Sequence, residues 1–134
     1  MTISECVQAV LIANAALVAA VPAVRIKVPG NWQNMDRPYI QHFPVTVQPV
    51  VVHQGLKAGK RWSYQVDVYA DTMGEAEDVA FLAVAALHGT HQCGTPASDN
   101  INAQWREGAW YVGRDAEVEV EHFIVQFDIA QTPA

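Results

Sequence analysis

Three small groups of residues in this chain have the types and spacing that chemistry would need. The first is His88, His91 and Cys93 in the run HGTHQC. Imidazole and thiolate are zinc ligands, and the spacing is short enough for one ion. A fourth ligand at a sensible spacing is missing, and the run straddles a helix end and a loop. The helix dipole alone accounts for His88 near a helix C-terminus. The second group is Cys93 with His91, a thiol beside a base. Adjacent positions rarely give nucleophile–base geometry, and no run supplies an oxyanion hole. The third is Glu117, Glu119 and Glu121, which alternate along one strand face. A nuclease holds Mg²⁺ with such carboxylates, but a solvated strand face explains them as well. No GxSxG run, P-loop or dinucleotide fingerprint occurs. Gly55 and Gly59 fall between two strand patterns, so they do not form a phosphate cradle at a helix start. The expectation is a non-enzyme with no catalytic residue, metal or cofactor.

The stretch Arg61 to Gly89 reads as one strand, one corner and one helix. Trp62, Tyr64, Val66 and Val68 alternate with Ser63, Gln65, Asp67 and Tyr69. Period two with aromatic and β-branched residues predicts a strand with one buried face. Thr72 followed by Glu75 is a capping box that starts a helix. Ala76, Val79, Ala80, Ala83, Val84 and Leu87 then form its apolar stripe, and Gly89 stands at the left-handed C-cap.

Thr2 with Glu5 is a second capping box, opening a helix that Pro22 ends at about Val21. Ile3, Val7, Val10, Leu11, Leu17, Val18 and Val21 form its stripe. The opposite side is alanine-rich and almost uncharged, so this helix is expected to be covered on more than one side. Asn14 on it reads as a hydrogen-bonded buried amide. Val24 to Val28 alternates like a short strand. Pro29 to Arg37 is a loop in which Trp32 and Met35 are apolar anchors, for the domain's own core or for a partner. Pro38 to Val52 is extended, and Pro44 and Pro49 within it predict an edge or bent strand. His53 to Lys60 is the long, mobile tip of a hairpin. Ile101 to Arg106 pairs with Ala109 to Val112 through a Glu107–Gly108 turn. In Glu117 to Ile129 the apolar parity changes, which predicts a β-bulge near Glu121 and His122. Glu117, Glu119 and Glu121 would then face solvent.

Each alternating run and helical stripe buries one face, so the fold class expected is α+β. About four antiparallel strands form one sheet against two helices, in the order helix, three strands, helix, two strands. A chain of 134 residues is one domain, here residues 1–130, with a frayed tail from Gln131 to Ala134. Only 16% of residues are charged, below the roughly 25% of ordinary soluble domains, which favours surface hidden in an assembly. The net charge of −6 argues against a general nucleic-acid binder, and of the basic residues only Lys57, Lys60 and Arg61 cluster. The first apolar run has no basic leader and carries Glu5, Gln8 and Asn14, which argues against a signal peptide or membrane span. Cys6 and Cys93 make no disulfide framework, and Cys6 reads as a small buried residue.

The run DVYADTMGEAEDVAFLAVAALHG, Asp67 to Gly89, resembles the signature of tail-completion (tail-terminator-like) proteins of long-tailed bacteriophages and prophages. Arg37-Pro38-Tyr39-Ile40 is similar to the opening of that family's first long strand. The resemblance covers Thr2 to about Ile129. It departs at the corner Asp71-Thr72-Met73-Gly74, which lacks an aromatic residue, and across Ile101 to Val112. It implies a structural virion protein, made in the host cytoplasm and placed in the tail or neck. Such a protein closes as a ring, typically a hexamer, at the head-proximal end of the tail tube. It ends tube polymerisation and meets the head's connector proteins. The partners implied are copies of itself, the tube protein and the connector, without membrane or sequence-specific nucleic acid, although DNA would pass through the lumen. By the same analogy His53, Gln54, Gly55, Leu56, Lys57, Lys60 and Arg61 would touch tube or connector, and Trp32, Met35, Pro44 and Pro49 a neighbouring subunit. Two other readings fit: an adaptor or stopper ring, and a dimeric small-molecule-binding domain with a pocket lined by Trp62, Tyr64 and Trp105.

Overall fold

A computed structural model describes residues 2–30, 36–50, 59–90, 92–93, 99–115 and 119–133. The elements are α1 (Ile3–Ala13), α2 (Ala15–Ala20), a 3-10 turn (Ala23–Arg25), β1 (Ile26–Lys27), β2 (Tyr39–Val50), β3 (Gly59–Ala70), α3 (Met73–Leu87), β4 (Gln92–Cys93), β5 (Asp99–Asp115) and β6 (Val120–Pro133). The class is α+β, as expected, but the sheet is larger. Six strands lie in the order β1-β2-β3-β6-β5-β4, and the sheet is mixed because β1 runs parallel to β2. β1 falls within the Val24–Val28 run expected as a short strand, whereas β4 is two residues long, too short for a periodic signal.

The core lies between one sheet face and the helices. Along β3, Tyr64, Val66, Val68 and Ala70 are fully buried, and across the ladder they meet Phe127, Val125, Phe123 and Glu121 of β6. From the helices Cys6, Val7, Leu11, Leu17, Ala76, Ala80, Ala83 and Leu87 close over them. The alternation of Trp62, Tyr64, Val66 and Val68 is the cause, since period two sends every second side chain to the same face.

Both helix starts form where the Thr–Glu pairs stand. The Thr2 hydroxyl accepts from the Glu5 N–H at 3.1 Å, and the Glu5 carboxylate returns the bond at 3.0 Å. At α3 the Thr72 hydroxyl accepts from the Glu75 N–H at 3.2 Å. Replacing Thr72 with Ala orphans that N–H and should cost about 1 kcal/mol in urea unfolding. An unchanged midpoint would show that the cap contributes nothing. Gly89 follows the helix at φ +81°.

The first helix is not continuous. Asn14 leaves the helix (φ −85°, ψ 112°), and its side chain accepts from the Leu17 N–H at 3.0 Å. The amide is hydrogen-bonded as expected, but as the N-cap of α2 rather than as a mid-helix residue. Further corrections concern the later strands. Ile101 to Val112 is part of one 17-residue strand, and the predicted Glu107–Gly108 turn is a bulge. Trp105 opposes Phe127 and Ala109 opposes Val125, so extra residues of β5 loop out without reversing the chain. β6 begins at Val120, and the irregularity beside Glu121 and His122 lies on the partner strand, where Tyr111 opposes Phe123 and Gly113 opposes His122. Gln131 to Pro133, expected to fray, continue the ladder opposite Ile101, Asn100 and Asp99.

The cysteines also depart from expectation. Cys6 is fully buried, as read, but it is bonded to Cys93, 87 residues away, which ties α1 to the edge strand β4.

Candidate docking surface

Of the residues singled out for contact, Pro44 and Pro49 lie on β2 and Lys60 and Arg61 on the β3 strand paired with it. Among the described residues β1 pairs with β2 only at Ile40 and Gln41 and the rest of β2 is a sheet edge, and the β2–β3 ladder shifts between Pro44 and Thr46. The prolines thus mark an edge strand that is also bent. Pro44 stands opposite Tyr64 and Pro49 opposite Lys60. β2 has no charged residue in twelve, and Val45 and Val47 are half exposed. Lys60 and Arg61 are exposed on β3, the Lys60 Nζ 5.9 Å above the Trp62 ring. His53, Gln54, Gly55, Leu56 and Lys57, like Trp32 and Met35, lie outside the described residues.

A second surface is made by α1, α2 and the turn after them. No charged residue occurs between Glu5 and Arg25. One side of this segment enters the core through Cys6, Val7, Leu11, Leu17 and Val21. The other leaves Ile12, Ala13, Ala15, Ala16, Ala19 and Val24 exposed, Val24 by 71%. Within a single chain the expected second cover is therefore absent from the described residues.

The sheet face away from the helices holds a polar and aromatic row that the sequence did not disclose. Tyr39, Tyr69 and His122 are neighbours on β2, β3 and β6. Their rings stack with centroids 4.7 Å and 4.3 Å apart. Below them Asp67 is only 5% exposed, accepting from the Gln65 side-chain amide at 2.7 Å, with His122 Nε2 at 3.4 Å. Burial, and then the Asp67 charge, push the Tyr69 hydroxyl well above the ordinary tyrosine range, so it stays a neutral donor. A cleft of about 430 Å³ opens beside the row, lined among others by Tyr39, Tyr69, Arg114, Asp115 and His122. The signal for it was the register, which places Tyr39, Tyr69 and His122 in one line.

The reactive groups are dispersed or already engaged. Of the three glutamates, Glu117 lies outside the described residues, and Glu119 is exposed in a turn at φ +54°. Glu121, expected in solvent, is 7% exposed, accepting from the Tyr111 hydroxyl and pairing with Arg114 at 3.1 Å. The bulge in β5 brings those two partners over it, which is why its carboxylate is buried. Cys93 is held in its disulfide, and His88 Nδ1 accepts the Trp105 N–H at 2.9 Å, so neither is free to ligate. His91 lies outside the described residues. Among the described residues no three His, Cys, Asp or Glu side chains are placed to hold a metal.

Trp62, Tyr64 and Trp105 do not line a pocket together. The Tyr64 hydroxyl is buried against His42 Nδ1 at 2.6 Å. Trp62 Nε1 donates to Gln131 at 2.9 Å, and Trp105 lies edge-on to Phe81. A groove of about 640 Å³ runs instead between the start of α1 and β1, lined by Ser4, Glu5, Gln8, Lys27 and Val28 among others. What the geometry offers is two uncharged surfaces and a hydrogen-bonded sheet face.

The family model described as Tail completion protein gp17 matches residues 5–132. No curated protein matches the chain. Among solved structures, a chain from the virion of a native gene transfer agent particle superposes with a TM-score of 0.65 at 17% identity, covering 98% of this chain and 94% of that one. At that identity the likeness shows the fold.

Proposed function

The chain belongs to the tail completion protein gp17 family, and from that premise we propose that this tail protein of the virion closes as a ring, hexameric by the family resemblance, on the head-proximal end of the tail tube. In this reading the ring ends tube polymerisation and presents its other face to the head's connector proteins. Its role is structural, without catalysis. Ring closure needs two different surfaces on each subunit, related by a rotation that closes. The uncharged face of α1 and α2 and the uncharged outer half of β2 supply two such surfaces on one chain. With a net charge of −6, copies repel at long range, and these are the places where contact costs least charge burial. The observation that carries the proposal is the exposed, uncharged helical face between Glu5 and Arg25. Lys60 and Arg61 at the base of the hairpin are assigned to tube or connector, together with Lys57 beyond them. The acidic balance lets DNA pass the lumen without being gripped.

Light scattering over a concentration series tests the ring. A discrete closed-ring mass is expected, either alone or when tail-tube protein is added. A stable dimer indifferent to tube protein would sink the reading. Ala16→Glu with Ala19→Glu places charge on the exposed face of α2. It should abolish ring formation while changing stability by no more than about 0.5 kcal/mol, as exposed sites do. For the hairpin, replacing Lys57, Lys60 and Arg61 together with Ala should block tail–head joining. Intact joining in that variant would remove the hairpin from the contact and favour α1 and α2 alone.

A further inference from the structure

The Cys6–Cys93 pair has no role in the ring argument, yet it is a covalent tie between the helix layer and the far edge of the sheet. Cys6 is fully buried on α1, and Cys93 is 4% exposed on β4. β4 is the edge strand: among the described residues Gln92 stands opposite Asn100 and Cys93 opposite Asp99, and just before it the Gly89 N–H donates to the Ala103 carbonyl at 2.8 Å and the Ala103 N–H to the Thr90 carbonyl at 3.3 Å. Local opening of this edge is the way in for a reagent that the buried sulfurs otherwise exclude. On the helical side, Cys6 stands on the element that carries the uncharged surface assigned to subunit contact.

Resting on the proposed assembly, we propose that this pair is a stage-dependent lock: a dithiol while subunits assemble inside the cell, and a disulfide in the released particle. The physical reason is the change of compartment. Thiol buffers keep protein cysteines reduced in the cytosol, while a particle outside the cell meets no such buffer. Closure is a thiol–disulfide exchange with a small-molecule disulfide such as oxidised glutathione. One cysteine thiolate attacks it, forming a mixed disulfide and expelling a glutathione thiolate. The second cysteine thiolate then attacks the protein sulfur and expels the other. The two protein thiols lose two electrons and two protons in total, and one glutathione disulfide becomes two glutathione thiols. While open, α1 adjusts to its neighbour in the ring. Once closed, α1 and the β4 edge no longer separate.

The test reads thiol state and survival. Infected or producing cells are quenched with acid, denatured and alkylated with N-ethylmaleimide, and released particles are treated likewise. Mass spectrometry should show two alkyl groups on the chain from cells and none on the chain from particles. A disulfide already present in the cells, or free thiols in the particles, would overturn the lock. Absence of the chain from the particles would instead overturn the tail assignment, so the two failures are distinguishable. Particles carrying Cys6→Ala with Cys93→Ala should form in normal number but retain at least tenfold less infectivity after heating. Equal survival would also overturn the proposal, as would failure to assemble when the double variant itself folds.

Discussion

Reducing the Cys6–Cys93 bond should lower the stability of the isolated subunit more than almost any single side-chain change. The bond closes a loop spanning 87 residues of sequence separation. Loop-closure entropy puts the effect at roughly 4.6 kcal/mol as an upper figure, and losses of about 2–4 kcal/mol are typical of native disulfides. Measured as a midpoint, a loss of about 3 kcal/mol lowers Tm by roughly 10 °C in a domain of this size. The comparison is the same protein with and without reductant, unfolded thermally at neutral pH. Because β4 must open before a reductant reaches sulfur, loss of the bond should be slow in the folded protein and fast in urea. A Tm that reductant leaves unchanged, with both thiols shown free by alkylation, would mean the unfolded chain gains nothing from release. The Cys6→Ala, Cys93→Ala variant should match the reduced protein and ignore reductant. Its own cavity adds a little, since Cys6 sits among fully buried neighbours.

What the sequence shows of this fold is decided by the range of the interactions. The Arg61–Gly89 unit was legible because its strand period, its cap and its C-terminal glycine are all local. The two prolines of β2 were legible for the same reason, since each removes a donor wherever the strand lies. β1 was legible in the alternation of Val24 to Val28, but β4 was not, because its two residues are a strand through backbone pairing with β5. The burial of Glu121 depends on where β5 bulges, and that is set by the match to β6 rather than by any run of residues. The Cys6–Cys93 pairing depends on α1 and β4 meeting in space. Of the docking surface, the uncharged helix could be read directly. The Tyr39–Tyr69–His122 row could not, because it needs the register of three strands.

His42 should make the protein sensitive to mild acid. It lies fully buried between helix and sheet, its Nδ1 2.6 Å from the Tyr64 hydroxyl and its Nε2 2.6 Å from Gln8 Oε1. Gln8 in turn donates to the Ile26 carbonyl at 2.7 Å. With the Gln8 oxygen facing Nε2, that nitrogen carries the proton, and Nδ1 accepts from Tyr64. The chain of bonds is complete with a neutral ring. Burial lowers the His42 pKa to about 4, because a charged imidazolium there would lose its water. The unfolded chain binds that proton near pH 6.5, the ordinary histidine value. Stability is therefore full above about pH 6.5 and is lost as pH falls towards 4, where the unfolded state holds a proton that the folded state refuses. The difference amounts to roughly 3 kcal/mol over that window. Urea unfolding at pH 7 and pH 4 measures it, with His42→Gln as the comparison. Gln at this position costs stability at pH 7 through imperfect filling of the site, but it carries no titrating ring. The acid-dependent part of the loss should shrink by about 3 kcal/mol in the variant. An acid sensitivity equal in both proteins would show that His42 takes up its proton in the folded state, and that the core around Tyr64 opens to water without unfolding.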